Sequence, residues 1–434
     1  MSFINKCFDI DLSKTTVKTE IIAGITTFLT MAYILAVNPG IFSAIPDMPH
    51  GGVFTATALA AVVGTLVMAF WAKRPFALAP GMGLNAFFVY TVCLQMGHTW
   101  QFALTAVFVE GIIFIILTLT NVRQAIVESI PATVRKAIGV GIGMYIAFIG
   151  LKNGGIIVDN QATFVTLGSI THGTGLLAVI GIVLTGILVI LKIKGAILIG
   201  ILATTVIGIP MGITQLSGFV SMPHGVSDIA FQFQWDQICS LDFVVVLFTF
   251  LFIDIFDTIG TVIGVSHKSG CIDKDGNIPR IKEIFMADAI ATVAGACLGT
   301  STTTTYIESA SGVAAGGRSG LTAFVVAVCF LIALFFSPLF LSIPAAATTS
   351  ALFIVGLFMM SSVKDIDFED YGEGLAAFVT IIAMPLTYSI SDGIMLGVIT
   401  YTVVNLCVGK FKKLNIGMCI LTVLFILKYI FINN

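Results

Sequence analysis

Residues Asp242 to Val265 read DFVVVLFTFLFIDIFDTIGTVIGV. The stretch is long and apolar enough to cross a bilayer, since a spanning helix needs about 20 apolar residues. It nevertheless carries two carboxylates near its middle, Asp254 and Asp257. A charge at bilayer depth costs at least about 2.5–3.5 kcal/mol, so such acids mark functional sites or polar contacts between helices. Three residues apart, they share one helical face, which must look at a polar cavity, a partner or a bound solute.

The composition agrees with a protein that lies mostly in lipid. Of 434 residues, 57% are hydrophobic and 10% are charged, whereas soluble domains carry about 25% charged residues. The net charge is −2, and no basic run indicates a nucleic-acid partner. The cysteines are scattered without paired spacing, so we expect neither disulfides nor a metal site, and no cofactor. The sequence predicts a polytopic helical protein whose partner is the lipid bilayer.

Apolar spans continue on both sides of the opening stretch. Two further segments, 75–96 and 299–316, are polar and interrupted, and including them gives fourteen crossings. The apolar spans fall at 20–38, 53–72, 101–119, 133–151, 173–192, 195–213, 242–265, 284–298, 318–337, 344–361, 373–388 and 392–408. A last apolar run, 416–431, is left open as a spanning or an interfacial helix.

Lysines and arginines indicate the orientation, because cytoplasmic loops of membrane proteins carry an excess of them. With the N-terminus inside, all 21 except Lys152 and Lys428 fall at the inner ends of spans. This bias arises only if segments 75–96 and 299–316 both cross. The sequence therefore predicts a multi-pass protein of the cytoplasmic membrane with a cytoplasmic N-terminus.

The two halves of the chain resemble each other. Phe54–Gly64, FTATALAAVVG, matches Phe285–Gly295, FMADAIATVAG. Shorter matches follow in the same order: Leu104-Thr-Ala with Leu321-Thr-Ala, Ser129-Ile-Pro-Ala with Ser342-Ile-Pro-Ala, and Ile197-Leu-Ile-Gly with Ile394-Met-Leu-Gly. Because each half has an odd number of spans, the second repeat is inverted, an arrangement typical of transporters with a midplane site. The predicted fold class is an all-α polytopic membrane protein of two inverted seven-span repeats.

The two interrupted segments stand third in each half. The first reads RPFALAPGMGLNAFF from Arg74, and its prolines and glycines prevent a continuous helix. The second reads TSTTTTYIESASG from Thr300, where consecutive threonines favour an extended backbone and helix is expected from about Tyr306. We predict half-strand, half-helix segments, with 75–80 and 300–305 extended and paired with each other. Paired interruptions are the best sequence indication of a transporter site.

Polar residues at these depths are the candidate site residues. Asn85 and Glu308 occupy matching places just inside the two half-helices, and Asp288 lies in the span before Glu308. For Asn85 and Asp288 a structural role stays open beside a functional one. Glu110, in the fourth span, is predicted to be a satisfied structural group.

In these motifs the chain resembles the AzgA-like adenine/guanine/hypoxanthine permeases of the nucleobase–cation symporter group. Three motifs carry the resemblance: FIDIFDTIGT around Asp254 and Asp257, APGMGLNAFF around Asn85, and TTTYIESASG around Glu308. The resemblance extends over nearly the whole chain, from Ala23 to the last span.

The resemblance implies the uracil-permease fold, with a core domain (18–119 and 242–337) and a gate domain (132–214 and 344–408). Residues 1–17 would form a cytoplasmic N-terminus, and 409–434 a C-terminal tail with an apolar helix. It also implies symport of purine bases with protons, the proton being the coupling ion. The implied base-binding residues are Asp254, Glu308, Asn85 and Gly83, and the implied proton-coupling residues are Asp257 and Asp288. The sequence leaves the oligomeric state open, a homodimer included.

Carboxylate chemistry agrees with a purine substrate. The N1–H and the exocyclic amine of guanine can both donate to one carboxylate, forming a charge-assisted bidentate pair. A 6-oxopurine such as guanine or hypoxanthine suits a carboxylate better than adenine does, because N1 of adenine is an acceptor. Two facing carboxylates also repel each other, which favours the uptake of a proton by one of them.

Three alternative functions fit less well. A sulfate or dicarboxylate transporter of the same architecture would need a basic residue at the site, whereas these residues are acidic or neutral. An intramembrane aspartyl hydrolase usually takes its two acids from different helices and requires no internal repeat. A passive channel needs no buried titratable acids. We therefore expect a transporter and not an enzyme.

Overall fold

The computed structural model describes residues 7–13, 15–120, 131–216, 218–269 and 278–431. Within these ranges the chain is a succession of apolar helices, and eight of them are long and apolar enough to cross a membrane. The other six of the fourteen predicted crossings correspond to the two interrupted segments, two shorter apolar helices (Ala196–Gly208 and Tyr371–Thr387) and two helices that carry acids (Leu241–Ser269 and Ile281–Leu298). The predicted fold class, an all-α polytopic membrane protein with inverted repeats, is confirmed.

The first half contains eight helices and three strands within the described residues. In chain order they are α1 (Val17–Met31), α2 (Ile34–Phe42), α3 (His50–Val67), β1 (Leu78–Pro80), α4 (Met82–Ala86), α5 (Trp100–Thr120), α6 (Ala132–Asn153), β2 (Ile157–Asn160), β3 (Phe164–Leu167), α7 (Gly173–Ile190) and α8 (Ala196–Gly208). Two helices continue beyond these ends as π-helix, α3 over Met68–Ala72 and α4 over Phe87–Gln95. Strands β2 and β3 form a largely exposed antiparallel hairpin.

The described part of the second half again places a short strand between a long helix and a short helix, and it shows no counterpart of the hairpin β2–β3. It comprises α9 (Leu241–Ser269), α10 (Ile281–Leu298), β4 (Thr303–Thr305), α11 (Ser309–Ala314), α12 (Gly320–Ala333), α13 (Ser337–Leu341), α14 (Ala345–Met359), α15 (Tyr371–Thr387), α16 (Ile390–Cys407) and α17 (Ile416–Phe431). The apolar run 416–431 is therefore a helix. It packs antiparallel along α16, where Thr422 donates to Thr402 at 2.7 Å and Tyr429 donates to Asp392 at 2.8 Å.

The two helices that carry the longest repeat match, α3 and α10, pack directly against each other. A Cβ placed on Gly64 of α3 would lie 2.6 Å from the Cβ of Ala291 on α10. Such a distance leaves no room for any side chain at Gly64. Small residues allow this close approach of membrane helices, whose association depends on van der Waals packing. The repeat-related helices thus form a tightly packed pair beside β1, whose Leu78 belongs to the same buried cluster.

The chain divides into two compact units, Met1–Leu119 with Gly150–Ala351 and Thr120–Ile149 with Leu352–Asn434. The first unit contains both interrupted segments, and the second has its own apolar core around Val140 and Ala377. The expected division into a core domain (18–119, 242–337) and a gate domain (132–214, 344–408) is a functional one and stays a prediction. The cytoplasmic N-terminus likewise stays a prediction. Four of the cations behind it lie outside the described residues: Lys6, Lys14, Arg123 and Lys274.

Candidate functional site

The two interrupted segments meet as a short antiparallel sheet. Leu78 pairs with Thr305, Ala79 with Thr304, and Pro80 with Thr303. The N–H of Gly81 then donates to the carbonyl of Thr302 at 3.0 Å. Antiparallel pairing means that the two segments run in opposite directions, as inverted repeats require. The predicted pairing of the extended segments is therefore confirmed for Leu78–Pro80 and Thr303–Thr305.

Side chains from neighbouring elements complete the hydrogen bonding of this sheet. The N–H of Leu78 donates to Thr65 Oγ1, and the N–H of Ala77 donates to Ser309 Oγ, each at 3.0 Å. The phenol of Tyr306 donates to the carbonyl of Pro80 at 2.6 Å. An unpaired backbone group costs several kcal/mol in lipid, so irregular backbone at membrane depth has to be paired within the protein. These bonds are what allow strands to exist at this depth.

Each strand leads into a helix that starts close to the sheet. α4 begins at Met82, and α11 begins at Ser309. The sequence predicted the second helix from about Tyr306. The N–H of Tyr306 instead donates to the carbonyl of Ala77 at 2.9 Å, so this residue still belongs to the sheet. The helix consequently begins later than predicted.

Asp254 on α9 and Asp288 on α10 are fully buried and are joined through one hydroxyl group. Thr258 Oγ1 lies 3.0 Å from Asp254 Oδ1 and 2.8 Å from Asp288 Oδ2. Thr304 Oγ1, on β4, lies 2.8 Å from the same hydroxyl. The N–H of Thr305 donates to the other oxygen of Asp288, Oδ1, at 3.1 Å. The two helices and the strand therefore converge on Thr258.

Glu308 and Asp257 are half-buried, unlike the two acids beside Thr258. Glu308 Oε1 accepts a 2.6 Å hydrogen bond from the phenol of Tyr33, a fully buried residue between α1 and α2. Asp257 Oδ2 lies 3.7 Å from the position that a Cβ on Gly81 would occupy, so it faces the start of α4. Asp257 and Glu308 also interact electrostatically. The site thus has one partly accessible acid from α9 and one from the second interrupted segment.

Asn85 in α4 is fully buried and accepts a hydrogen bond from the hydroxyl of Ser301 through Oδ1. Its amide nitrogen, Nδ2, has no hydrogen-bond partner among the described residues. A buried donor without a partner is costly, so a ligand acceptor here would recover that energy. Gly83, two residues earlier, is half-buried. Glu110 Oε2 accepts from the hydroxyl of Thr302 at 2.7 Å. Its role as a satisfied structural group stays a prediction.

Two polar residues of the site were missed in the sequence, Tyr33 and Thr258. Each residue carries a hydroxyl group in an apolar span, which is a common feature of membrane helices. Its functional role becomes visible only through its contact with an acid. Thr258 could have been found, because it lies four residues after Asp254 and therefore on the same helical face. No comparable signal exists for Tyr33, whose partner Glu308 is far away in sequence. Within the described ranges, no group of three or more His, Cys, Asp or Glu could hold a metal ion.

Helices that pack as inverted repeats, with paired interrupted segments beside buried carboxylates, define a membrane transport protein. The chain belongs to the Permease family, whose profile matches residues 18–396. This confirms the resemblance given by the motifs, the transporter class as opposed to an enzyme, and a multi-pass location in the cell membrane.

Individual relatives match over almost the full chain. The adenine permease AdeQ of Escherichia coli is 40% identical over 430 residues, covering 99% of this chain and 97% of that protein. The guanine/hypoxanthine permease PbuG of Bacillus subtilis is 44% identical over 438 residues, covering 98% and 99%. Among solved structures, the transmembrane domain of the cyanobacterial bicarbonate transporter BicA matches with a TM-score of 0.65 at 17% identity. That match covers 88% of this chain and 97% of that one, and it concerns the fold alone.

Proposed function

We propose that this permease imports purine nucleobases across the cytoplasmic membrane in symport with protons. The observation that carries the proposal is the convergence of four carboxylates of the second repeat, two buried and two half-buried, on the paired segments β1 and β4. Relatives named for adenine and for guanine and hypoxanthine support a purine as the substrate. Titratable acids at membrane depth are what a proton-coupled carrier requires.

We assign the base to Asp254 and Glu308, with Asn85 and Gly83 beside it. Carboxylates accept from the N–H groups of a purine, and the unpaired Nδ2 of Asn85 can donate to a ring nitrogen or a carbonyl oxygen. The bond from Tyr33 supports this role for Glu308, because it fixes the carboxylate while leaving it half-buried.

The transported proton is assigned to Asp257 and Asp288. Asp257 is half-buried and interacts electrostatically with both Asp288 and Glu308. Like charges held close together in a buried site favour the uptake of a proton by one member of the group. A proton taken up there would neutralise charge before the loaded site crosses the membrane.

Among purines we propose guanine and hypoxanthine as better substrates than adenine. N1–H of a 6-oxopurine donates directly to an ionised carboxylate, whereas N1 of adenine accepts and would need a protonated acid. Competition tests this order, with excess guanine or adenine added to cells that take up labelled hypoxanthine. Complete block by adenine with none by guanine would reverse it.

Uptake of radiolabelled bases into cells lacking their own permeases tests the function. We expect the internal concentration of guanine and hypoxanthine to rise above the external one. This accumulation should be lost when a protonophore removes the pH gradient. Xanthine and uracil serve as comparison substrates. Accumulation that survives the protonophore would exclude proton symport. Sulfate or dicarboxylate uptake without purine uptake would establish instead the anion transporter of the same architecture.

A further inference from the structure

The hydroxyl of Thr258 contacts three oxygen atoms at hydrogen-bonding distance. These are Asp254 Oδ1 at 3.0 Å, Asp288 Oδ2 at 2.8 Å and Thr304 Oγ1 at 2.8 Å. A hydroxyl group has one hydrogen to donate and two lone pairs that accept. The three contacts are therefore all satisfied only if Thr258 donates once and accepts twice.

Two ionised carboxylates cannot satisfy this arrangement. An ionised carboxylate only accepts, so Thr258 could donate to Asp254 or to Asp288 but not to both. The remaining pair of oxygens would then face each other without a hydrogen between them. Thr304 can fill one lone pair of Thr258, and a protonated carboxyl group is the donor that fills the other. One additional proton therefore makes every contact favourable.

We propose that Asp254 and Asp288 share a single proton through the hydroxyl of Thr258, which acts as a positioning residue for proton coupling. The proposal rests on the proposed function, in which Asp254 holds the base. In one arrangement Asp288 carries the proton and donates to Thr258, which donates to Asp254. In the other, Asp254 carries the proton and the same two hydrogen bonds run in the opposite direction.

The two arrangements interconvert without any change in charge. The carboxyl proton passes to the oxygen of Thr258 while the hydroxyl's own proton passes to the other carboxylate. One O–H bond breaks for each that forms, so the three groups together keep one proton beyond the hydroxyl and one negative charge. The heavy atoms can stay in place during this transfer, because both carboxylates already lie within 3.0 Å of the hydroxyl.

Base binding selects between the two arrangements. An N–H donor on the base requires Asp254 to be an ionised acceptor, so the proton moves to Asp288 when the base arrives. The other oxygen of Asp288 is held by the N–H of Thr305, so this acid stays attached to β4. Binding of the base thereby determines which of the two acids, Asp254 or Asp288, carries the proton.

The neighbouring titratable groups add negative charge around the bridge. The acids among them are Asp257 on α9 and Glu308 from the second interrupted segment, whereas Tyr306 is a neutral phenol that donates to the carbonyl of Pro80. Asp257 interacts electrostatically with Asp288 and with Glu308, and Tyr306 interacts with Asp257 and Glu308. Added negative charge opposes loss of the shared proton to water, which keeps the proton within the bridge.

Infrared difference spectroscopy of the purified permease tests the bridge directly. In the ligand-free protein at pH 7 we expect the carbonyl band of a protonated carboxyl group, and adding hypoxanthine should shift it. Thr258→Val removes the hydroxyl at nearly constant shape and should change both the band and the shift, while Thr258→Ser restores them. Thr249→Val is the matched control, because Thr249 lies on the same helix and, among the described residues, its hydroxyl bonds only to the carbonyl of Val245, at 2.8 Å.

Two spectral outcomes overturn the proposal: no protonated carboxyl band in the wild-type protein, or the same spectrum in Thr258→Val as in the control. If Thr258→Val does not fold, Asp288→Asn replaces it. This variant should abolish the shift with hypoxanthine, and an unchanged shift would also overturn the bridge.

Transport in proteoliposomes gives a second, independent readout. The ratio of pH-driven hypoxanthine accumulation to equilibrium exchange should fall at least about tenfold in Thr258→Val, and Thr258→Ser should recover it. A proportional fall of both rates would indicate a merely structural role and overturn the proposal. A wild-type protein that never accumulates a purine would be a failure of the proposed function, visible before any variant is compared.

Discussion

Replacing Tyr33 by Phe removes one hydroxyl group and keeps the buried ring. The lost bond is the 2.6 Å donation to Glu308 Oε1. A hydrogen bond to a charged group contributes about 1.5–3 kcal/mol. If the whole of this energy were lost from the binding free energy, the affinity would fall roughly 10- to 150-fold. Tyr33 acts through Glu308 and not on the base, so we expect the lower end, about tenfold weaker binding of hypoxanthine.

Isothermal titration of the purified variants measures this effect, with a double-mutant cycle to locate it. If Tyr33 acts through Glu308, adding Tyr33→Phe to Glu308→Gln should weaken binding no further. Tyr145→Phe is the control, since that phenol donates to a neutral carbonyl, that of Tyr388, at 3.3 Å. Wild-type affinity in Tyr33→Phe, or independent additive losses in the double variant, would refute the reasoning.

Three further changes test other parts of the structure. In isothermal titration, Asp254→Asn should bind hypoxanthine about tenfold more weakly or worse. Asp257→Asn should still bind hypoxanthine but should fail to accumulate it against its gradient in proteoliposomes. The reverse pair of results would exchange the roles assigned to Asp254 and Asp257. Gly64→Ala should destabilise the protein by about 1–3 kcal/mol in chemical unfolding through overpacking against α10, and wild-type stability would contradict the packing. A hydrogen bond from Lys413 lowers the pKa of Asp370 from 3.8 to about 2. Its stabilising effect is therefore complete above about pH 4 and is lost as the pH falls through 2. The melting temperatures of the wild type and Asp370→Asn should therefore differ at neutral pH and become equal near pH 2. A difference in melting temperature that does not change with pH would disprove the ion pair.

The interrupted segments could be predicted because their backbone chemistry is local. Pro80 and Gly81 break a helix wherever they lie, and the threonines before Tyr306 favour extended backbone in most contexts. The buried acids were equally visible, since a charge within an apolar span is expensive whatever surrounds it. These features needed no knowledge of the tertiary structure.

The parts that the sequence missed depend on contacts between distant residues. The helix after β4 begins at Ser309 because Tyr306 is held by Ala77, a bond that joins the two halves of the chain. Thr258 matters because Asp288, on another helix, approaches it to 2.8 Å. Local propensity carries no information about such partners, so the acids were found while the hydroxyl groups that organise them were not.

The pairing of β1 with β4 also has a consequence for biogenesis. Pro80 and its partner Thr303 are separated by roughly 220 residues, which a ribosome needs on the order of 10 to 45 s to synthesise. During that interval the polar backbone of β1 has entered the membrane without the strand that pairs with it, a costly state in lipid. The first repeat is therefore an incomplete folding unit that must be sheltered, by the insertion machinery or by its own helices, until the second repeat arrives. Assembly of the substrate site is consequently one of the last events in the maturation of this permease.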